Sequence, residues 1–363
     1  MKAAVVSEVK GAFEVLDISI DNPEPQEVLI DVRASGLCHS DLHVASNDVG
    51  FPMPAVLGHE VAGVVAAVGS AVTQVKVGDH VVTSPVHSCG TCIGCRTGRP
   101  YQCRVPSHTS RAPGSKPRLS LDGAPLTQFI GVGGFAEQVL VHQNTVVPVP
   151  REIPFDRAAL LGCGVVTGAG AAVNTARIRP GDTVAVIGAG GVGLNVIQGA
   201  RLAGAARIIA IDLSPAKLEL ATVFGATDVI NGADTDSVAE VLKLTGGGVT
   251  HSFEVIGLKP TSEQAVAMLE VGGTAYLIGV HQPGSSINIT PFGDLMGKQK
   301  GIRGVAMGSS NIAVDIPMYA NLYLQGRFKL DELVSAHISL DQIEEGYNSL
   351  RGGAVARNVI TSF

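Results

Sequence analysis

Tryptophan is absent, and aromatic residues occupy only 4% of the 363 positions. Charged residues are sparse as well, at 16%, with a formal net charge of −6. An acidic balance argues against a general nucleic-acid binder, which needs an excess of lysine and arginine to meet phosphates. Hydrophobic residues reach 45%, so the chain is no disordered charged tail and has ample material for a buried core. The first eight residues hold no apolar run of the length that a secretory leader requires. A reduced, cytoplasmic chain is therefore expected. Glycine stands where bulk is missing, with 45 residues beside 19 prolines. The length suggests about two domains.

Six cysteines are present, at Cys38, Cys89, Cys92, Cys95, Cys103 and Cys163. In a reduced chain such clustering indicates metal binding before disulfides. The uncharged stretch 183–200 is near the lower length of a membrane span. Gly188, Gly190, Gly191 and Gly193 interrupt it, and Asn195 and Gln198 follow. A strand, a glycine turn and a buried helix explain it better, so no membrane is expected.

The first 150 residues alternate short β-like runs (27–32, 61–68, 80–83, 146–150) with Gly/Pro turns, which predicts an irregular β-rich domain. Near residue 165 the texture changes. Strands are expected at 183–188, 207–212, 228–230, 249–255 and 274–280, and helices at 191–203, 215–224, 236–245 and 262–269. Ser214-Pro215 supplies an N-cap and a first-turn proline. Thr261 and Gln264 have the spacing of a capping box. Repeated β-α-β with buried strands predicts an α/β unit with a parallel, doubly wound sheet. Two further helices, 316–325 and 340–350, and a last strand, 358–361, complete the chain.

Gly188-Ala-Gly190-Gly191-Val-Gly193 follows a predicted strand and opens a predicted helix, the context that gives G-x-G-x-x-G its meaning as a dinucleotide loop. Gly188 permits the tight turn, Gly190 the approach of a pyrophosphate, and Gly193 close packing of helix on strand. Asp212, at the end of the next strand, suits an adenosine ribose and would repel a 2′-phosphate, which favours NAD over NADP. Lys217, one turn further on, has the same ribose in reach.

Cys89-x-x-Cys92-x-x-Cys95 and Cys103 can surround a Zn²⁺ with four thiolates and no open position, a structural site. An iron–sulfur cluster is the rival, but its four-cysteine runs usually place the fourth cysteine closer and follow it with proline. Cys38, His59 and Cys163 lie far apart, each beside glycine or a turn. Two thiolates and one imidazole neutralise Zn²⁺ and leave a fourth position for water or an alcohol. The basic stretch 96–121, with Arg96, Arg99, Arg104, Arg111, Lys116 and Arg118, suggests a solvated loop or a contact for an anion or a partner.

With Gly58-His59-Glu60-x-x-Gly63-x-Val65, the four-cysteine run and the glycine loop, the sequence resembles the zinc-dependent medium-chain alcohol dehydrogenases, in particular two-zinc, liver-type-like members, over essentially its whole length. The resemblance implies a GroES-like β-rich catalytic domain (1–164 and 307–363) and a Rossmann NAD-binding domain (165–306). It implies two Zn²⁺ per chain and NAD. The catalytic zinc is then held by Cys38, His59 and Cys163, with Glu60 behind them or as an alternate ligand. Ser40 would take the alcohol's proton, and His43 would deliver it to solvent by way of the nicotinamide ribose. Histidine suits that relay because its ordinary pKa lies near neutrality. Asp41 would orient His59. Thr167 is implied to pack on the nicotinamide, Val192 and Val280 to line the coenzyme site, and Arg357 to contact the pyrophosphate. His39 stands where some members carry a pyrophosphate-binding arginine.

The implied activity is reversible hydride transfer between an alcohol and NAD. Phe51, Met53, Leu119 and Phe129, in the loops 44–54 and 106–130, suggest an apolar or aromatic substrate. Alternatives are an alcohol dehydrogenase or aldehyde dismutase with permanently bound NAD, and an S-hydroxymethylglutathione dehydrogenase. That last group carries an arginine and a tyrosine where this chain has Ser107 and His43. A non-catalytic zinc sensor of the NAD redox state would need neither Ser40 nor His43. A homodimer is expected, with an apolar edge within 271–288 pairing across a two-fold axis.

Overall fold

The computed structural model describes residues 1–351 and 357–363. The chain divides into two compact units, Met1–Gly164 with Asn311–Phe363, and Val165–Ser310.

The first unit is β-rich. Its long strand Glu27–Gly36 is paired by Glu60–Val68, Gln138–His142 and Arg357–Ser362, all antiparallel. Outward from these lie His80–Thr83 and Val146–Pro148 on one side and Val334–Ser339 on the other. Two register shifts between Glu27–Gly36 and Glu60–Val68 bend the pair, as bulges do. Gly63 is obligatory there, because an added Cβ would stand 2.1 Å from the Asp31 carbonyl oxygen. Val28, Ile30, Val32, Val61, Val65, Val81 and Val139 form one core of this unit. A second core gathers Leu37, Leu57, Phe135 and Tyr347, with Phe13 stacked on Tyr347 at 5.1 Å. Fully burying each such side chain is worth about 1.5–3 kcal/mol.

The second unit is a six-stranded, all-parallel sheet. Its order is Asp228–Asn231, Arg207–Asp212, Thr183–Ile187, Val249–Glu254, Leu269–Leu277, Gly301–Gly304. The strands are apolar runs because helices cover both faces. Ile187, Ile209, Ile211, Val249 and Ala275 fill the core on one side with Val241 and Ala265 from helices.

Several expectations change in detail. The helix expected at 262–269 runs over Lys259–Ala267 with Leu258 as N-cap. Thr261 forms no capping box, because its hydroxyl donates to the Glu254 carboxylate at 2.8 Å instead. The helix expected from residue 316 begins at Ile312 and passes through Pro317. The strand expected at 274–280 is Leu269–Leu277, and it is no edge. Gly301–Gly304 pairs with it along Thr274–Leu277 and is itself the sheet's border. The helical stretch Phe155–Ala176 is long and apolar enough to cross a membrane, but its most apolar part is largely buried inside the protein, as in a core helix.

Candidate metal centres and coenzyme site

In the first unit, Cys38 ends the turn after Glu27–Gly36, and His39–Ser46 continues as a helix with Cys38 as N-cap. His59 immediately precedes the strand Glu60–Val68, and Glu60 opens it. Cys163 sits in a π-helical turn, Leu161–Val165, a form frequent at functional sites. Glycines make the approach possible. A Cβ on Gly162 would meet the Thr83 carbonyl oxygen at 2.0 Å, and one on Gly36 would meet the Glu60 carboxylate at 2.4 Å.

These elements bring one donor atom each from Cys38, His59, Glu60 and Cys163 within 4.8 Å of one another, all buried. His59 Nε2 lies 3.2 Å from Cys163 Sγ, against about 3.6 Å for nitrogen and sulfur on one tetrahedral zinc. On the other side of the ring, His59 Nδ1 lies 3.1 Å from Asp41 Oδ1, which also accepts the Gly58 N–H at 2.8 Å. A carboxylate on the far nitrogen fixes the tautomer and aims Nε2 at a metal. Asp41 thus occupies the orienting position, and its other oxygen is buried without a hydrogen-bond partner.

The electrostatics suit a cation. A hydrogen bond from Cys163 holds the Cys38 thiol well below its usual range against burial, and Arg357 and His59 add to this. The same bond, with burial, pushes Cys163 up. Burial opposes charge on His59, but Asp41 and Cys38 outweigh it and raise its pKa well above the usual value. Two sulfurs and an imidazole so arranged fit Zn²⁺ with one position to spare, and the Glu60 carboxylate lies behind them, held by Arg357.

Arg357 is a correction. Its side chain is buried, and Nε and a terminal nitrogen reach the two Glu60 oxygens at 3.2 Å each; the guanidinium also lies 3.7 Å from Cys38 Sγ. It is thereby bound beside the metal ligands, and burial confines it there, whereas the resemblance implied a pyrophosphate contact. Ser40, half-buried, has its hydroxyl 3.6 Å from Cys38 Sγ. His43 is half-buried one turn further along the same helix, and His39 is exposed at its start. Phe129 packs edge-on against the His59 ring at 5.6 Å and against Phe51 at 5.3 Å.

Cys89, Cys92, Cys95 and Cys103 form a second cluster with all donors within 4.8 Å. The sulfurs of Cys89 and Cys95 are 4.0 Å apart, those of Cys92 and Cys95 3.6 Å, and those of Cys92 and Cys103 4.0 Å. A tetrahedron with 2.3 Å metal–sulfur bonds has edges of about 3.8 Å, so the four fit a closed zinc site. Cys89 is held down to about 5, first by the Thr91 hydroxyl and then by backbone N–H groups, whereas burial raises Cys95 to about 12. All six cysteines are free thiols.

The basic stretch is largely spent inside this unit. Arg111 reaches Glu27 and Asp21 at 2.7 Å each, and Arg118 reaches Glu27 at 2.6 Å. Lys116 joins through Asp21. Arg96, Arg99 and Arg104 remain exposed.

In the second unit the glycine loop is assembled as the motif requires. Gly188 has φ +102°, closed to most side chains. Gly190, N-cap of Gly191–Ala203, has nothing within 4 Å of an added Cβ. Gly193 lies so close that a Cβ would stand 1.8 Å from the Gly188 carbonyl oxygen. Gly191 is buried and Val192 half-buried in the first turn. Asp212 ties the loop down. Its Oδ2 accepts the Ala189 N–H at 2.8 Å, and Oδ1 accepts those of Leu213 and Ser214 at 2.8 and 3.0 Å. Lys217 is half-buried in the first turn of Pro215–Phe224. Ile256 and Val280, 44% and 60% exposed, lie just beyond the carboxyl ends of their strands, the ligand side of such sheets. Thr167 is half-buried, with its hydroxyl 3.7 Å from Met307 Sδ.

Sequence reasoning missed the Glu60–Arg357 pair, since 297 positions separate the two and no local spacing signals it. Phe129 was legible only as an aromatic in a loop.

Comparison with known proteins finds relatives over the whole chain. The family model described as alcohol dehydrogenase GroES-like domain matches residues 24–151, and the one described as zinc-binding dehydrogenase matches 191–321. An S-(hydroxymethyl)glutathione dehydrogenase from Synechocystis sp. is 37% identical, covering 99% of both chains. Among solved structures, an alcohol dehydrogenase zinc-binding domain protein from Burkholderia ambifaria has a TM-score of 0.95 at 36% identity, over 100% of this chain and 98% of that one. A benzyl alcohol dehydrogenase from Acinetobacter calcoaceticus has a TM-score of 0.93, also at 36% identity, over 100% and 99%.

Proposed function

The chain belongs to the zinc-dependent medium-chain alcohol dehydrogenases, and we propose that it moves a hydride between an apolar or aromatic alcohol and NAD, reversibly, giving an aldehyde or ketone. The observation that carries the substrate class is the Phe129 ring set edge-on to His59, with Phe51 against it. An aromatic wall beside a metal ligand favours a substrate that buries apolar surface.

Cys38, His59 and Cys163 would hold the catalytic ion, with Glu60 behind them, and Cys89, Cys92, Cys95 and Cys103 the structural one. A zinc ion in the first set supplies a Lewis acid that lowers the pKa of an alcohol hydroxyl. Asp41 keeps the His59 ring aimed. Ser40 Oγ accepts the hydroxyl proton, and His43 passes it on to solvent. In the second unit, the N–H groups at the start of Gly191–Ala203 meet the pyrophosphate. Asp212 meets the ribose, with Lys217 beside it, and its charge excludes a 2′-phosphate. Thr167, Val192 and Val280 face the rest of the coenzyme, while His39 is the candidate for its pyrophosphate.

We also propose a homodimer through the bordering strand Gly301–Gly304. An unpaired strand edge is a template for pairing, and Phe292 and Met296, just before it in the chain, are 77% and 70% exposed.

The relative from Synechocystis favours a second reading, S-hydroxymethylglutathione as substrate. Ser107 and His43 tell against it, as places where that group carries arginine and tyrosine. NADH absorbance over a panel of ethanol, benzyl alcohol, cyclohexanol and S-hydroxymethylglutathione separates the two. Benzyl alcohol is expected to exceed ethanol in kcat/KM by about 10-fold or more, from aromatic burial worth at least about 1.4 kcal/mol. Turnover of the glutathione adduct alone would overturn the first reading.

A further inference from the structure

Glu254 is fully buried in the second unit, at the carboxyl end of Val249–Glu254. A buried carboxylate is costly unless its oxygens are satisfied. One oxygen is satisfied three times over, by the N–H of Ile256 at 2.9 Å, the N–H of Gly257 at 2.8 Å and the hydroxyl of Thr261 at 2.8 Å. The other is buried with no hydrogen-bond partner; His281 Nε2 stands 3.9 Å from it. That same nitrogen is 3.1 Å from the Ser262 hydroxyl.

The backbone of Glu254 holds a second loop. Its carbonyl oxygen accepts the N–H groups of Ile278 at 2.8 Å and Gly279 at 3.1 Å. The loops 256–258 and 278–281 are therefore fastened to one residue, and their backbones touch. A Cβ on Gly279 would stand 2.0 Å from the Gly257 nitrogen, and one on Gly257 would stand 2.4 Å from the Val280 carbonyl oxygen. The first loop also reaches the dinucleotide loop, since a Cβ on Gly188 would meet Ile256 Cγ1 at 2.9 Å.

We propose that Glu254 is a positioning residue for the coenzyme: its one fully engaged oxygen and its carbonyl lock the loops carrying Ile256 and Val280 into a preformed floor beside the Gly188–Gly193 turn. The inference rests on the reading of this unit as the NAD site. Glu254 touches no coenzyme atom itself. It acts by keeping the binding-competent arrangement populated, so releasing it lowers the apparent affinity by the fraction of competent molecules lost.

The test is NADH binding, by nucleotide fluorescence, to the zinc-loaded full chain as wild type, Glu254→Ala, Glu254→Gln and Thr261→Val, with kcat and KM for NAD measured beside it. Glutamine keeps the accepting oxygen, so Glu254→Gln is expected within about threefold of wild type. Glu254→Ala is expected to raise the NADH Kd and the NAD KM by about 10- to 100-fold, with kcat changed less than threefold. Thr261→Val, which removes a single donor, is expected to raise them about threefold. Should Glu254→Ala fail to fold, the two milder variants still carry the test. Wild-type affinity in Glu254→Ala, equal loss in Glu254→Gln and Glu254→Ala, or no change in Thr261→Val would each overturn the inference. Absence of NADH binding by the wild type would overturn the coenzyme reading itself, and this inference with it.

Discussion

Alanine at Gly190 and at Gly193 should separate coenzyme binding from folding, although the two positions are three residues apart in one motif. A Cβ on Gly193 would lie 1.8 Å from the Gly188 carbonyl oxygen and 2.9 Å from its carbon. Both are backbone atoms in the tightest part of the turn, so no side chain can swing away. Relief requires helix Gly191–Ala203 to move off strand Thr183–Ile187 by more than 1 Å, roughly, which puts the cost near the upper end for overpacking, about 3 kcal/mol. For a unit of this size that is a fall of about 6–12 °C in Tm. Gly190 is different. Its φ of −79° and ψ of −172° suit any residue, and a Cβ there meets nothing within 4 Å. Gly190→Ala should therefore leave stability within about 1 kcal/mol, since alanine is a poorer N-cap but reduces unfolded-state freedom. The Cβ instead fills the space through which the pyrophosphate must approach, so NADH affinity should fall about 30-fold or more, or about 2 kcal/mol. Thermal unfolding by circular dichroism and NADH fluorescence titration measure the two quantities. A Gly190→Ala protein that binds NADH like wild type, or a Gly193→Ala protein with unchanged Tm, would refute the reasoning.

Three further outcomes follow from the same geometry. Asp212→Asn keeps an oxygen for the Ala189 N–H but loses the charge that opposes a 2′-phosphate, so the kcat/KM ratio of NADP to NAD should rise about 10-fold or more; an unchanged ratio would contradict the ribose role. Lys116 and Arg111 hold the Asp21 carboxyl down to about 2, and Arg111 and Arg118 hold Glu27 below its usual range despite burial. Both carboxyls are depressed, so the stability they contribute is complete above about pH 4.5 and is lost as pH falls toward 2; Arg111→Met should move the acid-unfolding midpoint, followed by circular dichroism, to higher pH, and an unmoved midpoint would argue against the network. If the proposed dimer forms, replacing Phe292 and Met296 together by glutamate should convert it to monomer in analytical ultracentrifugation; a wild type that is monomeric, or a variant that stays dimeric, would contradict the proposed interface.

The parallel sheet was legible because each of its signals is local. The strand at 207–212, the helix at 191–203 and the proline at 215 depend on patterns within a dozen residues, and the structure keeps the same bounds. The four-cysteine cluster is local too, since Cys89 to Cys103 lie in one turn-rich segment. What was not legible depends on partners distant in the chain. Arg357 is drawn to Glu60 across 297 positions, and Arg111 to Glu27 across 84. Thr261 has the spacing of a cap, yet a buried carboxylate competes for its hydroxyl and wins. The misplaced sheet border has a similar origin: Gly301–Gly304, with two glycines in four residues, gives no strand signal of its own.

The central claim, a hydride passed from an alcohol beside Cys38, His59 and Cys163 to a nicotinamide, is tested most directly by isotope transfer. Benzyl alcohol deuterated at the carbinol carbon should hand its deuterium to NAD in the native protein, as read by proton NMR of the reduced nicotinamide. Transfer should stop when a chelator removes zinc and return when zinc is restored. Transfer that persists in protein stripped of zinc would contradict the account.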